Sequence, residues 1–478
     1  MTLSVQKSPA PNWGRLNNHD RSIIRFDRHL DRSVGNLPYG NGRSYGDTCH
    51  NDEGVLLDNR HNNQILAFDD QTGILKAQSG VLLADILTFL QDKKWFLPVV
   101  PGTKFVTLGG AIANDIHGKN HETRGTFGRH VRCLTLWRSD GEQYFCDANS
   151  NQELFSATIA GMGLTGVIVS AEIQFIKVHS HTVRQTITPF ENLDQYFYML
   201  ESENSSPEYS VSWVDSLASG KSFGRGIAIS GTHAPSASKP EYRSAKLSVP
   251  FTPPIALVSG LPLKIFNSAY YWKNKQNSGE SMTSPETFFF PLDAIGGWNK
   301  LYGPRGLHQH QSVLPFDTAR EGVEELMRTA QEAGQGSFLT VLKRFGALKS
   351  PGLLSFPTPG FTLTLDFANK GEKTLELLDK LDRITLQADG RTNPYKDARM
   401  STETFQTGFP NWQQLEALRD PAFQSDFWRR VTKRRVVKPA PIETFITSGT
   451  INQPDKPEIQ KSGSKSEVEK QLAQGETK

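Results

Sequence analysis

The sequence has only three cysteines, Cys49, Cys133 and Cys146. Three thiols at these spacings make neither a repeated metal-binding pattern nor a disulfide framework, and they fit a reducing compartment. Net charge is also scarce: 53 Lys and Arg against 50 Asp and Glu leave +3, too near balance for a nucleic-acid footprint. No apolar run approaches the ~20 residues that span a bilayer. The opening stretch MTLSVQKSPAPNWGRLNN lacks the apolar core of a signal peptide, so a cytoplasmic protein is expected. No G-x-x-x-x-G-K-[ST] occurs, and Gly40, Gly42 and Gly46 are wrongly spaced for G-x-G-x-x-G. A P-loop and a Rossmann fingerprint are therefore both excluded.

What is present is length enough for two or more domains, at 478 residues. Up to about residue 178, short extended runs alternate with small helices. QILAFDDQTGILKAQSG reads as a hairpin, and LLADILTFLQDKK has helical spacing with Leu83, Ile86, Leu87 and Leu90 on one side. HVRCLTLWRSDGEQYFCD gives two strands around a turn, NQELFSATIAGMG a short helix, and TGVIVSAEIQFIKV a strand. Beyond 178 the order is helix 318–334, two strands, then the helical KTLELLDKLDRITLQADG, a second layered α+β unit. Between the two, VPFTPPIALVSGLPLKIFNSAYYWKNK is apolar but broken by Pro and Gly. It reads as a mobile lid or as a surface loop with buried anchors. FWRRVTKRRVVK, Phe427 to Lys438, reads as a solvated basic helical face and its exit, with attraction to anionic lipid or phosphate as the alternative. Residues 448–478 hold hardly any large apolar side chains and read as a disordered tail.

Three glycine-bearing segments fall in the first unit: YGNGRSYGD, PGTKFVTLGGAIANDIHGKNHETRGTFG and GMGLTGVI. Glycine lets backbone N–H groups converge on phosphate oxygens and lets flat rings approach closely. Three such loops suit a large, extended ligand better than a single phosphate. DIHGKNH, Asp115 to His121, is the densest polar knot, where His117, Lys119 and His121 are candidates for one side of a cleft. No carboxylate or thiol completes a metal set with these histidines, so none is expected. In the second unit Gln309 and Gln311 alternate on a predicted strand and share a face. Lys343 and Lys396 each lie beside an extended segment. Amides and lysines from distant segments suit a polyhydroxylated or phosphorylated substrate.

Taken together, GNGRSYGD, PGTKFVTLGGAIANDIHGKNH, GSFLTVLKRFG and YKDARMSTETF resemble the FAD-linked oxidases of the vanillyl-alcohol-oxidase type, from about residue 10 to about 440. Within them the likeness is greatest to the branch that oxidises polyprenylphosphoryl-ribose. The resemblance implies an α+β, two-domain FAD-binding fold whose substrate cap domain is built on an antiparallel sheet. Residues 1–178 would bind FAD, 179–392 would form the cap, 393–447 would return to the FAD domain, and 448–478 would be the tail.

The resemblance also assigns residues. Tyr39, Gly40, Asn41, Gly42, Arg43, Ser44 and Tyr45 would form the first cofactor loop, which runs on to Asp47. Gly102, Thr103, Gly109, Gly110, Asn114, His117 and Gly118 would form the second, with Gly163 and Gly166 behind. His117 would assist proton transfer, and Lys396 would steady negative charge on the reduced cofactor as well as meet substrate. Lys119, Gln309, Gln311, Lys343, Thr362 and Thr364 would line the substrate pocket.

Many relatives bind FAD covalently through a histidine at the place of Tyr45, so noncovalent FAD is implied. Thr362 and Thr364 stand where the mycobacterial-type oxidases carry an asparagine and a cysteine. The implied reaction oxidises the 2′-hydroxyl of a polyprenylphosphoryl-ribose to a keto-sugar, as the first half of an epimerisation that leads to an arabinose donor. A separate NAD(P)H-dependent reductase would complete it. A soluble sugar alcohol or aldonolactone is the alternative substrate, and a non-redox binding module the rival class. The apolar segment 249–270 would dock a polyprenyl tail or rest on the inner membrane face.

Overall fold

The computed structural model describes residues 6–28, 30, 32–202, 207–235 and 247–432. The expected tail, 448–478, and the exit of the basic stretch, 433–438, lie outside the described residues.

Two main sheets make up the first unit, beside a two-stranded one of Trp95–Phe96 and Ile176–Lys177. A small one has the order Gln6–Ser8, Arg21–Arg25, Val55–Asp58, Asn36–Tyr39, its last three strands parallel. The other is antiparallel, with the order Ile65–Asp69, Ile74–Gln78, Val167–Gln174, Val131–Trp137, Gln143–Asp147. Helix Leu83–Leu90 turns Leu83, Ile86, Leu87 and Leu90 into the core against this sheet, as its spacing dictates. Helix Leu108–Ala113 packs there too, capped by Thr107, whose side chain accepts from Gly110 N at 3.2 Å.

The second unit is one eight-stranded sheet. Its order is Gly279–Thr283, Val183–Phe190, Gly226–His233, Tyr209–Val214, Val341–Phe345, Gly360–Ala368, Leu307–Leu314, Arg391–Thr392, antiparallel throughout. Period two gives its central strands two characters. Leu342, Leu363, Leu365 and Phe367 face helices Phe316–Glu332 and Glu372–Gln387 in one apolar core. The alternate residues, Lys343, Thr362, Thr364, Asp366, Gln309 and Gln311, point the other way, toward the first unit. Strands Leu307–Leu314 and Gly360–Ala368 are buried along their whole length, so their polar face is roofed rather than solvated.

After Thr392 the chain returns to the first unit. Phe405, Phe409, Phe427 and Trp428 pack in one cluster with Leu37, Tyr39 and Leu56, and Asn36 bridges in parallel to Phe423.

Two expectations are corrected. The Pro- and Gly-broken stretch holds a continuous 17-residue helix, Gly260–Gln276. Pro262 sits in its first turn, where no intrahelical N–H is needed, and so does not break it. As far as Thr432, the last described residue, the basic stretch is not a solvated face: in helix Asp426–Thr432, Phe427, Trp428 and Val431 are fully buried. Its arginines are paired, Arg430 with Asp47 and Asp397, and Arg429 with Asp426.

Candidate active site

The polar face of the large sheet and the glycine loops of the first unit enclose a cavity of about 410 Å³. Sixteen residues were expected to hold a cofactor: Tyr39 to Tyr45, Gly102, Thr103, Gly109, Gly110, Asn114, His117, Gly118, Gly163 and Gly166. All of them line it. The loops approach closely because they lack side chains. A Cβ on Gly40 would lie 2.6 Å from Thr107 Oγ1, and one on Gly109 would lie 2.9 Å from Ser79 Cβ. Gly163, at φ +75°, holds a left-handed turn that only glycine adopts cheaply. Gly102 faces open space, where a Cβ would intrude on whatever fills the cavity.

Of the expected substrate residues, Lys119, Gln309, Lys343, Thr364 and Lys396 line the cavity. Gln311 and Thr362 do not. They sit behind His117 in a closed network: Gln311 Nε2 lies 3.1 Å from His117 Nε2 and donates to Thr362 Oγ1 at 2.9 Å, while Gln311 Oε1 accepts from Asn393 Nδ2 at 2.9 Å. Asp47 and His121, at the two ends of the expected loops, also lie off the cavity. Asp47 pairs with Arg430, and the His121 ring packs 4.4 Å from Phe345.

That network corrects the role expected of His117. An amide nitrogen only donates, so His117 Nε2 accepts from Gln311 and the ring proton belongs on Nδ1. The Nε2 lone pair is already committed and cannot take a substrate proton in this arrangement. Burial, with Lys343, Lys396 and His121 nearby, holds the imidazole well below its ordinary pKa and hence neutral.

The lysines carry the electrostatics. Burial pushes Lys119 down to about 7. Burial, then Lys396 and Lys119, push Lys343 to about 7. Burial lowers Lys396 to about 8, against the opposing pull of Asp366. Lys119 donates to the Phe288 carbonyl, and Lys396 stands 5.6 Å over the Tyr45 ring. Among the described residues none of these three lysines has a carboxylate within ion-pair distance. They are a half-buried cluster of amines on one cavity, whose charged form an anion would favour.

Sequence reasoning missed several members. Asp366 is fully buried, accepts from Gln309 Nε2 and from Tyr302 OH at 3.4 Å, and is pushed up to about 7 by that burial. Its signal was present: Thr362, Thr364 and Asp366 alternate in TLTLD. Asn393 and the cavity-lining Trp13, Asp293 and Trp298 come from separate segments and leave no local pattern. Among the described residues no cluster of His, Cys, Asp or Glu suits a metal ion.

Comparison with known proteins gives this cavity a cofactor. The "FAD binding domain" family model matches residues 29–147. The decaprenylphosphoryl-β-D-ribose oxidase of Mycolicibacterium smegmatis is 33% identical over 429 residues, 86% of this chain and 92% of the relative. The chain belongs to the FAD-linked oxidases of the vanillyl-alcohol-oxidase type. It is a FAD-dependent oxidoreductase acting on a CH–OH group. An uncharacterised protein of Streptomyces coelicolor is 30% identical over 70% of this chain and 96% of its own length. The L-gulonolactone oxidase of Mus musculus is 28% identical over 33% of this chain and 34% of its own.

The cavity fits FAD on its own terms. Arg43, stacked 4.8 Å from the Trp13 ring centroid, has a buried Nε with no hydrogen-bond partner among the described residues, as an anionic oxygen would need. FAD, when bound, would accept the hydride of the oxidised CH–OH group, which carries both electrons. Tyr45 cannot form a histidyl link. Cys49, which also lines the cavity, is kept as a thiol by burial, which pushes it up to about 12.

Proposed function

We propose that this oxidoreductase oxidises a secondary hydroxyl of a phosphate-bearing sugar, the 2′-hydroxyl of a polyprenylphosphoryl-ribose, to a keto-sugar. One observation carries the reading: Lys119, Lys343 and Lys396 converge on the cavity without paired carboxylates. A phosphodiester monoanion compensates such a cluster, whereas a neutral polyol or lactone leaves it unpaired. The likeness to the decaprenylphosphoryl-ribose oxidase across 86% of the chain supports the same substrate class.

The residues divide the work. Lys396, backed by the carboxyl of Asp366, supplies positive charge where negative charge accumulates as the cofactor is reduced. Gln309, whose Oε1 is buried and unpartnered among the described residues, accepts from a sugar hydroxyl while Asp366 holds its amide nitrogen. Lys343, as the ammonium that the bound anion favours, pairs with the phosphodiester, and the hydroxyl proton leaves to water. His117 donates from Nδ1 and is fixed by Gln311. FAD is held without a covalent bond. The keto-sugar then passes to a separate NAD(P)H-dependent reductase, which completes an epimerisation.

Product analysis tests this. Incubation with polyprenylphosphoryl-ribose should yield a product two hydrogens lighter with a carbonyl at C2′. Turnover of ribitol or an aldonolactone, with no product from the phosphoryl sugar, would overturn the reading in favour of a soluble substrate.

A further inference from the structure

Helix Gly260–Gln276 has two faces. Leu263, Asn267 and Tyr271, four residues apart, turn inward and are buried. Leu261, Ile265 and Trp272 fall on the opposite side within one narrow stripe and are 68, 62 and 53% exposed. The loop leading into the helix adds Phe251 and Ile255, 68 and 67% exposed. Five large apolar side chains this exposed within one segment are unusual without a partner.

Its charge selects the partner. From Leu247 to Gly279 there is no Asp or Glu, while Lys264, Lys273 and Lys275 are present. On the helical wheel Lys264 and Lys275 border one side of the apolar stripe and Lys273 the other. Lys275 lies 5.2 Å over the Trp272 ring and also reaches Glu191 at 3.2 Å. Apolar side chains with a tryptophan, edged by lysines, are the makeup of a helix lying in a membrane interface.

The surface is also continuous with the active site. Val258 and Ala256, next to exposed Ile255, pack with Trp298, Phe338 and Leu339, and Trp298 and Leu339 line the cavity. Phe266 of the helix meets Phe338 at 5.1 Å.

We propose that the outward face of helix Gly260–Gln276, with Phe251 and Ile255, docks on an anionic lipid bilayer and opens the active-site cavity toward it. The docking itself is independent of the substrate reading, because vesicle binding is read without any sugar. A correct substrate with no docking, or docking with a different substrate, are separable results.

The test is co-sedimentation of the FAD-loaded full-length chain with phosphatidylcholine vesicles, with and without phosphatidylglycerol. The protein should pellet with the anionic vesicles, release as salt rises, and pellet at least about tenfold less with neutral ones. The L261S/I265S/W272S variant, checked for retained flavin absorbance, should lose about tenfold or more of that binding. K264E/K273E should weaken it while leaving the apolar stripe intact, and Tyr198→Ser, which removes an exposed aromatic elsewhere, should leave it unchanged. Three results would overturn the proposal. One is wild-type protein left in the supernatant at low salt. Another is a folded triple variant that pellets like wild type. The third is a wild-type dimer that the triple variant abolishes without any vesicle binding, which would make a second copy of the chain the occupant.

Discussion

The two walls of the cavity are built by opposite means. The first-unit wall is backbone: glycine loops, a capped short helix and Arg43 as the cation with an orphaned N–H. The sheet wall is side chain: Lys343, Gln309 and Thr364 on strands, Asp366 behind Gln309, and Lys396 from the turn that follows Thr392. A backbone wall recognises shape and the phosphate oxygens of a large cofactor and tolerates little added volume. A side-chain wall sets charge and proton affinity, so a single substitution there changes chemistry without displacing the fold. Substitutions on the two walls should therefore fail differently.

The largest effect is expected at Lys396. Lys396→Ala should slow anaerobic cofactor reduction about 10²–10³-fold, the scale for removing one charge-stabilising donor, with FAD affinity little changed. Stopped-flow absorbance set beside an FAD titration separates the two, and unchanged reduction rates would remove Lys396 from the mechanism. On the opposite wall, Gly109→Val should cost FAD affinity about tenfold or more, because even a Cβ meets Ser79 at 2.9 Å. Its reduction rate, once saturated with FAD, should stay near wild type. Equal losses in both quantities at both positions would erase the contrast between the walls.

A smaller effect is expected with pH. Lys119 and Lys343 sit near 7 in the folded chain against about 10.5 for an exposed lysine. Between these values the unfolded chain binds more protons, so this part of the stability is present at high pH and is lost as pH falls through about 7. An anion favours the charged amines, so its binding takes up protons and weakens as pH rises through the region of 7 to 8. Calorimetry of the phosphoryl sugar in buffers of different ionisation enthalpy should show that uptake, and Lys343→Met should reduce it. The smallest change concerns attachment. Acid precipitation should release the flavin into the supernatant, and yellow colour left in the pellet would mean a covalent link.

The same contrast explains what could be read from the sequence. The glycine wall was legible because a close approach or a turn imposes its residue type locally, as in GNGRSYGD and LGGAIAND. The sheet wall was only half legible. Gln309 and Lys343 stood out, but Asp366 acquires its meaning from Gln309 and Tyr302, 57 and 64 residues away. His117 looked like a free base until Gln311, 194 residues on, was seen to occupy its lone pair. Helix Asp426–Thr432 looked solvated because its arginines meet acids such as Asp47, 383 residues upstream. Helix Gly260–Gln276 was hidden by Pro262, which reads as a breaker anywhere except in a first turn. Pairings that close over long sequence separations leave no periodic trace.

Whether the lysine cluster selects a phosphate-bearing sugar is decided by an anaerobic absorbance titration. Two short-chain prenyl ribose derivatives should be compared, identical except that one carries the phosphodiester and the other a neutral ether link. The phosphodiester should bleach the flavin band, and the ether should bleach it far more weakly or not at all. Equal bleaching by both compounds would contradict that selection.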